Sequence, residues 1–333
     1  MSRFFRFTNH PLVEKLFLGG LAVVYALYLI GYVRGFFPTA STPPITIIKH
    51  TLPTNSSAIL HYWTPANIRS AIDDDQKLSQ GSNLDRQGNG NQQVNPQAAQ
   101  RGQGTPPDRG DASLYPLSTV GKLFFVRSGQ RYVCSGTAIV SANHNTVNTA
   151  AHCLYQIGVD RIGSWAEEVL FCPLYDNANG PYGCWAAHTL EVPSDWIVNP
   201  KNAFYHDMGM VVVNANNEGN LTDVVGGAGW AYNQPVGQYF YAYGYPTSSP
   251  FEGKTTSFCQ GEGIPWSQAG GPVVSLLCAT TEFSSGGPWF IEDGGNWYLG
   301  GHNDFVRNVQ PGHIFSPYYD NTWHALYEQA QEA

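Results

Sequence analysis

The sequence predicts an all-β domain of barrel or sandwich type, closed by one helix and preceded by an apolar segment and a polar linker. Three observations carry this. Short β-rich runs, punctuated by Gly, Asn and Pro, recur from Leu114 onward with no long helical periodicity. All six cysteines, at 134, 153, 172, 184, 259 and 278, fall in that same region. Charged residues make up only 13% of the chain and aromatics 14%, and the many Tyr, Trp, Gly and Asn suit an exported β-rich protein.

Taken in order, Leu16–Val33 is an apolar run broken only by small Gly and amphipathic Tyr. It is long enough for a transmembrane helix and longer than the apolar stretch of a usual signal peptide. Arg3, Arg6 and Lys15 precede it, which favours a cytoplasmic N-terminus and a translocated C-terminus. A cleaved signal peptide is the rival reading, with Pro38–Ser41 as its cleavage region. Either reading exports the rest, so residues 1–37 are a membrane anchor or signal segment. Residues 38–111 read as a pro-region and flexible linker, with one short helix over Pro65–Ile72. From Asp73 to Asp111 the chain has almost no large apolar side chain and cannot offset the entropy of ordering.

Residues 112–333 form the β-rich domain. Leu123–Val126, Tyr132–Cys134, Thr137–Val140, Met210–Val213 and Tyr239–Ala242 read as strands. Asn321–Gln331, with Trp323, Leu326 and Tyr327 on one side, reads as a terminal amphipathic helix. The net charge of −8 and the lack of a basic stripe argue against nucleic acid as a partner. An even number of cysteines in an exported domain reads as disulfides. Neither Cys-x-x-Cys nor His-Glu-x-x-His occurs, so no metal or other cofactor is expected. Asn55-Ser56-Ser57 and Asn220-Leu221-Thr222 fit the glycosylation triplet.

The chemistry lies in three fragments, Thr149-Ala150-Ala151-His152-Cys153, His206-Asp207-Met208-Gly209 and Ser284-Ser285-Gly286-Gly287-Pro288. A serine hydroxyl is a poor nucleophile at neutral pH. An imidazole must take its proton, and a buried carboxylate must fix the tautomer and stabilise the charge. His152, Asp207 and Ser285 supply these groups. Their order, His then Asp then Ser, excludes the α/β-hydrolase order and the subtilisin order. The spacing suits two barrels, with His152 and Asp207 on the first and Ser285 on the second. His206, beside Asp207, would point the other way along a strand.

With Cys134–Thr137, Thr149–Cys153, the Asp207 segment, Gly244–Pro246 and Ser284–Trp289 in place, the chain resembles the chymotrypsin-like (trypsin-like) serine peptidases. Within them it resembles the bacterial and fungal branch that includes glutamyl endopeptidases. The resemblance covers about residues 112–330, and Tyr62–Pro65 resembles a motif found before such domains. It implies a double β-barrel with a C-terminal helix, peptide or protein substrates, and Cys134 paired with Cys153. Cys172–Cys184 and Cys259–Cys278 follow as sequential pairs. Ser285 would attack the peptide carbonyl, with His152 as base and then acid and Asp207 as orienter. The oxyanion hole would be the N–H groups of Phe283 and Ser285.

The chain departs from the family at Phe283, where relatives have glycine. This motivates the alternative that the protein is a catalytically inactive homologue acting as a binding module. Ser284 offers no charge for a newly cleaved N-terminus. In the specificity pocket, Ala279 stands where an acidic floor would select Lys or Arg. Thr280 and His302 fall where relatives bind an acidic side chain, although Glu282 and Asp304 close by would repel one. A third reading, an unrelated β-rich carbohydrate-binding protein, predicts that His152, Asp207 and Ser285 do not meet in space.

Overall fold

Strand pairing begins well before the β-rich region that the sequence marks out. The computed structural model describes residues 45–53, 55–79, 100–106, 112–157, 163–176, 180–199, 203–247, 252–266, 272–278, 285–304 and 312–333. The apolar run Leu16–Val33 lies outside them, and among the described residues no helix is long and apolar enough to cross a membrane.

The N-terminal elements are β1 (Ile47–Thr51), α1 (Ser56–Tyr62), α2 (Pro65–Ser79) and β2 (Gln100–Gly102). Then come β3 (Val120–Arg127), β4 (Gln130–Ala138), β5 (Thr146–Thr149), the one-turn helix α3 (Ala151–Leu154), β6 (Tyr155–Gln156), β7 (Ser164–Trp165), β8 (Glu167–Pro173) and β9 (Trp185–Pro193). They are followed by α4 (Ser194–Val198), β10 (Gly209–Val213), α5 (Leu221–Val225) and β11 (Gly229–Tyr232). The last part holds β12 (Tyr239–Gly244), β13 (Ser257–Glu262), β14 (Ile264–Trp266), β15 (Val273–Leu277), β16 (Pro288–Asp293), β17 (Asn296–His302), β18 (His313–Pro317) and α6 (Asn321–Ala330).

Strands β9, β10, β5, β4, β3 and β8 pair in that order, and β8 pairs back onto β9, closing a six-stranded barrel. The second half builds a sheet in the order β13, β12, β16, β17, β11, β2 and a three-stranded sheet of β14, β15 and β18. The all-β class and the closing helix therefore agree with the sequence. Helix α6 starts at Asp320, whose side chain accepts from the N–H of Thr322. It buries Trp323, Leu326 and Tyr327, the side the sequence marks as apolar. Disulfides join Cys134 to Cys153, Cys172 to Cys184 and Cys259 to Cys278.

The linker reading of residues 38–111 needs correction for the described part. In β9, Trp185 and Ala186 pair with β8, while Thr189–Pro193 pair with β1. Strand β1 thus covers backbone that β8 leaves open. Asn55 caps α1 by accepting from the Ala58 N–H at 2.9 Å. Ile59, Trp63, Ala71 and Ile72 are buried in the same core cluster as Val120 and Phe124 of the barrel. The Trp63 ring lies 5.5 Å from that of Phe124, and its indole N–H donates to the Glu168 carbonyl. These anchors all precede the polar stretch that starts at Asp73, and one tryptophan with three aliphatic side chains suffices to hold a short segment. Trp63→Ala is expected to destabilise the domain by about 3–5 kcal/mol, the usual cost of emptying a large aromatic site. Denaturant unfolding of the disulfide-bonded chain measures this.

Candidate active site

Helix α3 is a single turn, so its carbonyls have no partners further along the helix. Arg127, at the end of β3, supplies them. Its Nη2 donates to the carbonyls of His152 at 2.9 Å and Cys153 at 2.8 Å, and Nη1 donates to Gln156 Oε1 at 3.1 Å. Burial lowers the guanidinium pKa to about 10, so it stays charged across the working range. The Cys134–Cys153 bridge ties the same turn to β4. His152 is thus held from two sides, while its own side chain is partly exposed.

Asp207 lies just before β10 and meets His152 at two points. One carboxylate oxygen accepts the His152 backbone N–H at 2.8 Å, and the other lies 2.7 Å from Nδ1. A carboxylate accepts, so Nδ1 carries the proton and Nε2 is left as the basic nitrogen. Burial pushes the Asp207 carboxyl upward. The charge of His152, its hydrogen bonds and one from Asp304 outweigh that and hold the pKa at about 2. Asp304, whose side chain is 1% exposed, places one oxygen 4.0 Å from His152 Nδ1.

The Ser285 turn is fixed through its backbone. The Ser285 carbonyl accepts from the Ser135 N–H at 2.7 Å and lies 3.9 Å from Cys153 Sγ. The Gly286 N–H donates to the Asn303 carbonyl at 2.7 Å. Gly286 has φ +83°, and a Cβ there would overlap Thr149 Oγ1 and the Ser135 carbonyl. A Cβ at Gly287 would meet the Tyr243 carbonyl. Ser285 is therefore the last residue that can carry a side chain before two that cannot, and it sits against the turn that bears His152.

His302 is placed otherwise than in a substrate pocket. It is fully buried. Its Nε2 donates to the Asp207 carbonyl at 2.8 Å, and Nδ1 lies 2.8 Å from the Tyr319 hydroxyl. The carbonyl can only accept, so Nε2 carries the proton and Nδ1 accepts from Tyr319. The same hydroxyl accepts from Asn148 Nδ2 at 3.0 Å. Both ring nitrogens being used, His302 supports the back of Asp207 and cannot receive a substrate carboxylate. Residue counting puts it near the pocket but cannot give the direction of the side chain. His206 lies 3.9 Å from Asp195, and burial lowers its pKa. Ala279, Thr280, Phe283 and Ser284 lie outside the described residues.

Among the described residues, Cys134, His152 and Cys153 come together, as do His152, Asp207 and Asp304, with donor spacings that a metal ion would need. The first group is taken up by a disulfide, and the second is tied by hydrogen bonds within itself. Sequence reasoning missed Arg127 and the part played by Asp304. Arg127 ends an apolar strand with no motif around it, and Asp304 reads only as a nearby repulsive charge.

Arg127→Met keeps the stem and removes the donors. It is expected to lower kcat by about 10-fold with KM nearly unchanged, as two hydrogen bonds to the His152 turn are lost. Steady-state kinetics checks this. A second expectation concerns acid stability. Burial lowers the His302 pKa to about 4, against 6.5 in an open chain. Between those values the unfolded chain binds the proton and the folded one does not, so stability is full above about 6.5 and falls as pH drops toward about 4. In His302→Asn the midpoint of unfolding should vary less over that window. An unchanged pH slope would contradict it.

Neither family models nor curated proteins give a match to this chain. Solved structures do. The thermostable serine protease AL20 from an extremophilic microorganism is 32% identical, with TM-score 0.60, over 65% of this chain and 98% of its own. Protease Anisep from Arthrobacter nicotinovorans is also 32% identical, with TM-score 0.59, over 70% of this chain and 100% of its own. A Glu endopeptidase at 17% identity and TM-score 0.52, over 66% of this chain and 93% of its own, shares the fold.

Proposed function

The chain belongs to the chymotrypsin-like serine proteases and is a serine endopeptidase, and on that premise we propose that His152, Asp207 and Ser285 form its catalytic triad. The two-point grip of Asp207 on His152 carries this reading, with the Ser285 turn packed against the same helix. In the proposed reaction Ser285 Oγ attacks the peptide carbonyl and its proton passes to His152 Nε2. The tetrahedral intermediate collapses to an acyl-enzyme as His152 gives that proton to the leaving amine. Water then attacks the ester, with His152 again as base, and Ser285 is regenerated. Asp207 stays ionised throughout and balances the imidazolium. The N–H groups of Ser285 and Phe283 are the proposed oxyanion donors.

Export fits three disulfides, which persist in oxidising compartments. Membrane attachment would come from residues 1–37 if they remain uncleaved. The satisfied ring of His302 removes one support for an acidic preference, which would then rest on Thr280 and its loop. An inactive binding module is disfavoured by a carboxylate and imidazole held in working tautomers.

The test uses Ser285→Ala and His152→Ala. Each should lower kcat by about 10⁴-fold or more while leaving the thermal midpoint within a few degrees. A fluorophosphonate probe should label Ser285 in the wild type and not in Ser285→Ala. Wild-type turnover in Ser285→Ala, or no labelling of an intact wild type, would overturn the triad.

A further inference from the structure

Asp207 is held from behind by the last of four hydrogen bonds that run through the interior from helix α6. The indole N–H of Trp323 on α6 donates to Asn148 Oδ1 at 2.9 Å. Asn148 Nδ2 donates to the Tyr319 hydroxyl at 3.0 Å. That hydroxyl donates to His302 Nδ1 at 2.8 Å, and His302 Nε2 donates to the Asp207 backbone carbonyl at 2.8 Å. Trp323, Asn148, Tyr319, His302 and Asp207 are all buried.

The two ends fix the direction of every bond. An indole N–H can only donate and a peptide carbonyl can only accept. Asn148 therefore turns its oxygen to Trp323 and its nitrogen to Tyr319. His302 carries its proton on Nε2, which leaves Nδ1 to accept from the Tyr319 hydroxyl between them. Burial raises the Tyr319 pKa and lowers that of His302 to about 4, so both stay neutral at the pH of the reaction. Bonds aligned in this way polarise one another, and a buried group left unpaired is costly.

The path also crosses between the halves of the domain. Asn148 on β5 and Asp207 before β10 belong to the first barrel, whereas His302 on β17, Tyr319 after β18 and Trp323 on α6 belong to the second half. Tyr319 is placed independently of its hydroxyl. Its ring stacks on that of Trp323 at 4.8 Å and 13°, and its carbonyl accepts from the Asn233 N–H at 2.7 Å. The hydroxyl is thus free to serve the path alone.

We propose that Tyr319 is a positioning residue for the reaction, whose hydroxyl links the docking of α6 through His302 to the main chain of Asp207 and so sets where the carboxylate meets His152. The proposal rests on the triad reading above. Tyr319 acts on geometry only, since a small displacement of Asp207 is enough to loosen its two-point contact with His152.

The experiment uses the full disulfide-bonded chain with Tyr319→Phe, which keeps the ring and removes the hydroxyl. kcat should fall by about 10-fold with KM within about twofold, as the path is cut in the middle. Proton NMR of the resting enzyme gives a second readout, the far-downfield signal of the His152 Nδ1–H that bonds Asp207. It should shift in Tyr319→Phe. Ile59→Val on α1 makes none of these hydrogen bonds and controls for lost packing, so both kcat and the signal should stay as in wild type. Wild-type kcat in Tyr319→Phe, an unmoved signal, or an equal loss in Ile59→Val would overturn the proposal. If Tyr319→Phe fails to fold, Trp323→Phe removes only the first donor and should shift the same signal, and an unmoved signal there would overturn the proposal equally. The signal is read as well in a Ser285→Ala background, so a failed triad, seen as turnover retained by Ser285→Ala, and a failed Tyr319 assignment give different results.

Discussion

The rest of the site depends on one buried carboxylate, Asp207, holding one partly exposed imidazole at two points. A charge removed from water is costly unless it is paired and hydrogen-bonded. Here the compensation comes from the His152 backbone, the His152 ring and Asp304 together. The backbone contact is as informative as the ring contact. It locks the carboxylate to the main chain of α3, so the ring cannot swing without giving up a bond that the main chain would keep. His302 then fixes the other side of Asp207 through its carbonyl. Carboxylate and peptide are both held, and the tautomer of His152 follows from position alone.

That grip is useful only if the two halves of the domain meet at the right depth, and the serine turn meets this need with backbone. Ser135 on β4 bonds across the junction twice, its N–H reaching the Ser285 carbonyl and its hydroxyl accepting from the Tyr245 N–H, while its carbonyl accepts from Thr149 Oγ1 on neighbouring β5. Close approach at Gly286 and Gly287 leaves no room for side chains. Lys122 on β3 adds a further tie. It is buried, donates to the Gly253 carbonyl, and lies 5.5 Å from the ring centre of Tyr175 and 5.8 Å from those of Phe124 and Tyr245.

What was legible in the sequence was what short-range chemistry fixes. His152, Asp207 and Ser285 stand in local motifs, and the cysteines pair in the sequential pattern that the resemblance supported. The terminal helix announced itself through Trp323, Leu326 and Tyr327. What was not legible required direction or long-range contact. The sequence puts His302 near the pocket, but only its buried hydrogen bonds show that it faces Asp207. Arg127 has no motif, since its partners are carbonyls of another element. Within residues 38–111 the helix at Pro65 was legible, but strand β1 and helix α1 were not, because their packing depends on the few side chains that find a cavity.

Those few side chains change how the N-terminal segment should be regarded. Strand β1 pairs along β9, α1 and α2 bury Ile59, Trp63 and Ile72 in the barrel's own core, and β2 pairs with β11 in the second half. Such contacts are held by buried area and backbone hydrogen bonds, and neither requires chain continuity between α2 and β2. If the chain were cut between them, the packed elements on either side would keep these contacts. A region added in front of a protease domain thus need not act as a removable leader. Here it completes the open edge of β9 and fills part of the core beside β3, the strand that carries Arg127 to the His152 turn.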